Sequence, residues 1–126
     1  MDEILRKMNY KTGVAVILGA PAEFGATLAV WRKECPVAFD LGEEKPAFVL
    51  AFADSISSFE AKVKPIAATV SPATVFWVAF PKKTSVRYRS DLGRDVAWKL
   101  MEPLGFGPAR NVAIDGDWSA LRFVRR

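Results

Sequence analysis

The chain has 126 residues with 18 Lys and Arg against 14 Asp and Glu, a formal net charge of +4, no His and one Cys. That length makes one domain whose core needs no disulfide or metal to hold it. The missing His excludes Ser-His-Asp and Cys-His catalysis and every His-built zinc site, and a lone Cys35 excludes an internal disulfide.

Asp2 to Tyr10 reads as a short helix with Ile4, Leu5 and Met8 on one face. Gly13 opens the apolar run Val14–Leu18, which Gly19 ends. Continuous apolar runs of this length are typical of strands buried on both faces of a parallel sheet. Residues 13–31 hold a single charge, yet a spanning helix needs about 20 unbroken apolar residues. Pro21, Glu23 and Gly25 interrupt this stretch, and a carboxylate at mid-bilayer costs about 2.5–3.5 kcal/mol. With Asp2 and Glu3 at its start, the chain reads as neither anchored nor led by a signal peptide, and a cytoplasmic location is expected. Cys35 has no adjoining base and reads as a small packing residue.

Glu23 to Lys33 carries Phe24, Leu28 and Trp31 at helical spacing. Pro36 to Asp40 is a brief strand, residues 41–45 a polar loop, and Ala47 to Ala53 a second apolar strand. Ser57 and Glu60 have capping-box spacing before Val63 and Ile66, while Pro65 predicts a kinked or restarted helix. Thr74 to Phe80 is a third strand, stopped by Pro81. Ser90 or Asp91 is placed to cap a helix carrying Leu92, Val96 and Leu100, which Gly105 would end. Asn111 to Ile114 and Ala120 to Val124 form a final hairpin about Asp115–Trp118. Trp77 reads as core, Trp98 as a core flank or a ligand wall. In the hairpin, Trp118 is expected to anchor the turn, Leu121 and Phe123 to point inward, and Arg122 to face outward or pair with an acid.

Strands alternating with helices, then a close-coupled pair, predict an α/β three-layer sandwich: a mostly parallel sheet with a C-terminal antiparallel hairpin, Rossmann-like. Ligands of such sheets sit beyond the carboxyl ends of the parallel strands. Here those ends carry Gly19, Asp40, Asp54 and the segment Pro81, Lys82, Lys83. Five cations (Lys82, Lys83, Arg87, Arg89 and Arg94) lie within residues 82–94 with Asp91 the only acid, so one loop and the start of one helix hold the whole net charge. Such a segment suits an anionic small molecule, or a nucleic-acid backbone with Tyr88 stacked on a base, or simple solvation. Four Trp and nine Phe are enough aromatic surface for a homodimer.

The element order resembles a shortened class I methyltransferase sheet lacking one middle βα unit. The resemblance implies a spatial strand order 2-1-3-4-6-5, Gly19 at the cofactor turn and Asp40 as the ribose-binding acid. The turn Leu18-Gly19-Ala20-Pro21-Ala22-Glu23-Phe24-Gly25 departs from the Gly-rich pattern: Pro21 removes an N–H donor, and Phe24 is placed to fill the cofactor's space. On that ground S-adenosylmethionine is disfavoured, no cofactor is predicted, and the expected role is non-catalytic binding of an anionic small molecule or protein partner. An S-adenosylmethionine-dependent methyltransferase and a nucleic-acid-associated protein are the alternatives. The segments Phe76–Lys83, Ser90-Asp91 and Asp117–Arg122 further resemble an uncharacterised bacterial family, which implies Pro81, Lys82, Trp118 and Ser119 as its shared positions.

Overall fold

The computed structural model describes residues 1–42 and 45–126; part of the polar loop expected at 41–45 therefore lies outside the described residues. Helix α1 (Glu3–Lys7) starts on Asp2, whose carboxylate accepts the N–H groups of Ile4 and Leu5. Strand β1 (Ala15–Leu18) leads through a 3-10 turn (Ala22–Phe24) into α2 (Gly25–Glu34), then β2 (Val37–Ala38) and β3 (Phe48–Phe52). Next come α3 (Ile56–Ser58), a π-helical turn (Phe59–Val63) and α4 (Lys64–Ala67). The chain closes with β4 (Val75–Pro81), α5 (Arg94–Met101), a 3-10 turn (Glu102–Leu104), β5 (Phe106–Ala113) and β6 (Trp118–Arg125).

The six strands lie in the order β2-β1-β3-β4-β6-β5, the order that the methyltransferase resemblance implies. β1 pairs in parallel with β2 and β3, and β3 with β4; β6 runs antiparallel to both β4 and β5. The central strands are apolar on both faces because both faces are covered. Val49, Ala51, Phe76, Val78, Leu121 and Phe123 pack with Phe59, Val63, Ile66, Ala97 and Met101. The alternate residues Phe48, Leu50, Trp77, Ala79 and Ala120 pack with Leu5, Met8 and Trp31. Trp77 is fully buried and donates its indole N–H to the Met8 carbonyl at 2.8 Å, tying the end of α1 to the middle of the sheet.

Several local expectations give way to tertiary contacts. The cap of α3 is Ser55, whose hydroxyl accepts the Ser58 N–H at 3.0 Å, and not Ser57, which is exposed. Pro65 is accommodated by widening the preceding turn to π geometry, since a proline supplies no N–H to an α ladder. Neither Ser90 nor Asp91 caps α5: Ser90 accepts the Leu92 N–H, Asp91 accepts the Ile56 N–H at 2.8 Å, and the cap position is Gly93. Leu92 thus lies before the helix. Trp98, read as a core flank or a ligand wall, is 45 % exposed and lines a surface pocket with Asp95, Lys99 and Glu102. Arg122 neither points freely outward nor meets an acid; its Nε is buried and lacks a hydrogen-bond partner among the described residues. Leu121, Phe123 and Trp118 are buried as expected. No described helix is long and apolar enough to cross a membrane.

Candidate functional site

Strand β1 has β2 on one side and β3 on the other, so the chain changes direction across the sheet at β1. A crevice opens at the carboxyl ends on either side of such a switch. Gly19 stands at its centre with φ +68°, and a methyl group there would come within 3.1 Å of the Phe52 carbonyl oxygen. The glycine is thus required by the close approach of β3 as well as by the left-handed backbone.

On one side of Gly19 lies a pocket of about 370 Å³ lined by Leu18, Asp40, Leu41, Ala51, Lys62 and Ile66. Its walls are mainly hydrocarbon, with the exposed Asp40 carboxylate and the Lys62 ammonium as polar groups. The sequence assigns Asp40 to this place; Lys62 and Ile66 come from the π turn and α4, and only the folded helix brings them here.

On the other side of Gly19 the crevice narrows to about 130 Å³ between Pro21, Asp54, Tyr88 and Trp118. Ligand pockets run from about 300 Å³ upward, so this half is too small for more than a fragment. Glu23 and the basic loop narrow it. The Glu23 carboxylate accepts a short hydrogen bond from the Tyr88 hydroxyl and another, at 3.2 Å, from the Trp118 indole N–H. Arg87 lies 3.5 Å from its other oxygen. The Tyr88 hydrogen bond, supported by Trp118 and Arg87 and opposed by burial, holds the Glu23 carboxyl below the usual carboxylate range. The same bond pushes the Tyr88 hydroxyl up, with burial adding to it. Aromatic contacts continue the closure: Tyr88 on Trp118 at 5.0 Å, Trp118 on Phe52 at 5.2 Å and Phe52 on Phe24 at 5.0 Å between ring centres. Phe24 itself is buried beneath the turn against Trp31. The expectation that Phe24 fills the space beside this turn is therefore corrected: Tyr88 and Trp118 line the narrow side of the crevice.

The basic loop is held at several points. The Lys82 N–H meets the Asp117 carbonyl at 2.8 Å, and the Ser85 hydroxyl donates to the Asp117 carboxylate at 2.7 Å. The Tyr88 N–H in turn donates to the Ser85 hydroxyl. These ties divide the five cations that the sequence groups together. Arg87 turns to Glu23, whereas Lys82, Lys83 and Arg94 line a separate cleft of about 290 Å³ with Pro81, Asn111 and Ser119. Arg89 lines neither that cleft nor the crevice; it borders a further pocket of about 420 Å³ that Lys82 and Lys83 also line, with Tyr88, Ser90 and Leu92. Trp118 and Ser119, adjacent in sequence, point to opposite faces of β6: Trp118 towards Glu23, Ser119 into the cleft, donating to Asn111 at 2.8 Å. The ten sequence candidates thus do not form one site: Gly19, Asp40, Asp54 and Trp118 line the crevice, Arg87 turns to Glu23 beside it, Pro81, Lys82, Lys83 and Ser119 line the cleft, and Arg89 lines neither. Sequence reasoning names neither Glu23 nor Asn111 as a site residue, although Glu23 is the lone charge in residues 13–31.

No family model matches the chain, so the resemblance to the uncharacterised bacterial family rests on its quoted residues alone. No curated protein matches it either. Solved structures do. The mitomycin 7-O-methyltransferase MmcR superposes with a TM-score of 0.58 at 12 % identity over 91 % of this chain, which spans about half (49 %) of that protein. Magnesium protoporphyrin IX methyltransferase (ChlM) from Synechocystis PCC 6803, with bound S-adenosylhomocysteine (SAH), gives 0.60 at 10 % identity, covering 98 % of this chain and 78 % of that one. The DhpI–SAH complex gives 0.58 at 14 % identity, covering 98 % and 81 %. The fold is a methyltransferase-like α/β sheet.

Proposed function

We propose that this chain binds S-adenosylmethionine or SAH as a methyltransferase-type domain, with the nucleoside end in the pocket beside Asp40. The supporting observation is the pocket itself: about 370 Å³, apolar-walled, at the switch point of a methyltransferase-like sheet, with a carboxylate at its edge. Such walls suit a purine, and the Asp40 carboxylate suits the paired hydroxyls of a ribose. When bound, S-adenosylmethionine supplies a methyl group activated by its sulfonium. The chain's own contribution is to hold the nucleoside between Leu18, Asp40 and Ile66 and to shield it from water.

The nucleoside half fits; the amino-acid half meets the narrowed side of the crevice, where Tyr88 and Trp118 stand. That narrowing favours a second reading, in which the fold serves as a non-catalytic binding module for an anionic small molecule or a protein partner. Calorimetry with S-adenosylmethionine, SAH, adenosine and methionine separates the two. The first reading expects S-adenosylmethionine and SAH to bind at micromolar concentrations and adenosine more weakly. At a hundred times Kd a ligand adds about 2.7 kcal/mol of stability, raising Tm by roughly 8–15 °C for a chain of this size. No heat and no Tm change with any of the four overturns it and leaves the binding module.

A further inference from the structure

The cleft on the α5 side of the sheet is separate from the crevice and from the S-adenosylmethionine reading; a site there would give the binding-module reading its anionic ligand. Lys82 and Lys83 leave the end of β4 and meet Arg94, the first residue of α5, across about 290 Å³ of space. The lysine stem is placed closely: a methyl group built on Gly93 would lie 3.8 Å from Lys83 Cε. Lys83 therefore runs along the buried cap residue of α5.

These three cations gather at the end of a helix that is already positive, where proteins ordinarily place acids. Among the described residues no side chain caps the end, and the helical hydrogen bonds begin with the Ala97 N–H on the Gly93 carbonyl. Among the described residues one carboxylate lines the cleft, Asp95. It lies 3.7 Å from Arg94 Nε with both side chains more than half exposed, so it offsets one charge of three. The opposite wall is polar and fixed. Ser119, only 9 % exposed, donates to the Asn111 side-chain oxygen, which leaves the Asn111 amide nitrogen as a donor. Like charges converging on a positive helix end cost stability, and departures of this kind from local consistency concentrate where a ligand completes the charge balance.

We propose that this cleft is a binding site for a small phosphate-bearing molecule. Its phosphate would sit between the Lys83 ammonium and the Arg94 guanidinium, with the Asn111 amide contacting the remainder. Phosphate matches a forked guanidinium and an ammonium together. A cleft of this size, with Arg87 turned to Glu23, suits a small molecule better than a polymer.

The experiment is an amide chemical-shift titration of the whole isotopically labelled chain with inorganic phosphate, then pyrophosphate, at constant ionic strength set with chloride. Saturable shifts are expected at Lys83, Arg94, Asp95 and Val96. Lys83→Ala with Arg94→Ala should weaken binding at least about tenfold, as loss of charge-assisted hydrogen bonds entails. Lys83→Arg should retain it. Lys11→Gln with Lys33→Gln removes the same charge from exposed positions outside the cleft and the pocket beside it and should change affinity by less than about twofold. Equal loss in both double variants, or no saturable shift with either anion, overturns the site. So does binding of an oligonucleotide but not of pyrophosphate. Because Asp40 lies elsewhere, S-adenosylmethionine binding should be the same in the Lys83/Arg94 variant, so the two proposals fail separately.

Discussion

Tyr88 donates its hydroxyl hydrogen to Glu23 across 65 residues of sequence, joining the loop after β4 to the turn after β1. Trp118, from the last strand, donates to the same carboxylate oxygen. A single acid thus gathers three distant segments over the carboxyl ends of the sheet and decides how much of the crevice is open.

Removing the Tyr88 hydroxyl should loosen this closure without disturbing the core. Tyr88→Phe keeps the ring against Trp118 and deletes one bond to a charged acceptor. A loss of about 1–2 kcal/mol in denaturant unfolding is expected, with faster hydrogen exchange at Tyr88 N–H. If S-adenosylmethionine binds as proposed, its affinity should rise in this variant, because the amino-acid half of the crevice widens. Unchanged exchange at Tyr88 would show that the aromatic stacking alone holds the loop.

The closure should also respond to pH at both ends of the scale. The Glu23 carboxyl is lowered in the fold, chiefly by Tyr88, so its contribution is complete above its ordinary value of 4.5 and is lost as pH falls through the lower folded value. The Tyr88 hydroxyl is raised, chiefly by Glu23, so its contribution is complete below 10.0 and is lost as pH rises through the higher folded value. Carbon-13 shifts of the Glu23 carboxyl and ultraviolet absorbance of the Tyr88 phenolate report the two titrations. Glu23→Gln should bring the Tyr88 titration back towards 10.0; a titration that stays where it was would assign the shift to burial.

Asp40→Asn tests the nucleoside pocket. Asp40 is exposed at the pocket's edge, so the variant should keep the stability of the parent within about 0.5 kcal/mol. Its affinity for SAH should fall about tenfold or more, in line with the loss of a charged hydrogen-bond acceptor. Calorimetry on both proteins, with thermal unfolding as the control, gives the comparison. Equal affinities would remove Asp40 from the site.

Gly19→Ala should destabilise by about 1–3 kcal/mol. The position combines a positive φ with a carbonyl oxygen 3.1 Å from where the methyl would lie. Gly25→Ala, six residues on, has open space and helical dihedrals and should be neutral or slightly stabilising. The pair separates the backbone requirement from a general intolerance of change in this turn.

Much of the fold is legible in the chain. The apolar runs at Val14–Leu18, Ala47–Ala53 and Thr74–Phe80 mark β1, β3 and β4 because strands covered on both faces need no polar alternation. The helices between them require parallel crossovers, and the short Asp115–Trp118 connection requires an antiparallel close. The helix starts are less legible. Ser57, Ser90 and Asp91 are all competent caps by type, and the contacts of Ser55, Leu92 and Ile56 decided which were used.

The sequence by itself determined the layer order, the absence of His chemistry and the positions where strand ends would carry Gly19, Asp40 and Lys82. Those follow from periodicity and composition, which are local. Only the tertiary structure decided that the cations of residues 82–94 separate, with Arg87 drawn to Glu23, Lys83 and Arg94 lining one cleft, and Arg89 in neither place. Charge is counted along a chain, but it acts through distance. Glu23, Tyr88 and Trp118 come within reach of one another only because β6 inserts beside β4 and carries Trp118 to the carboxyl ends of the parallel strands.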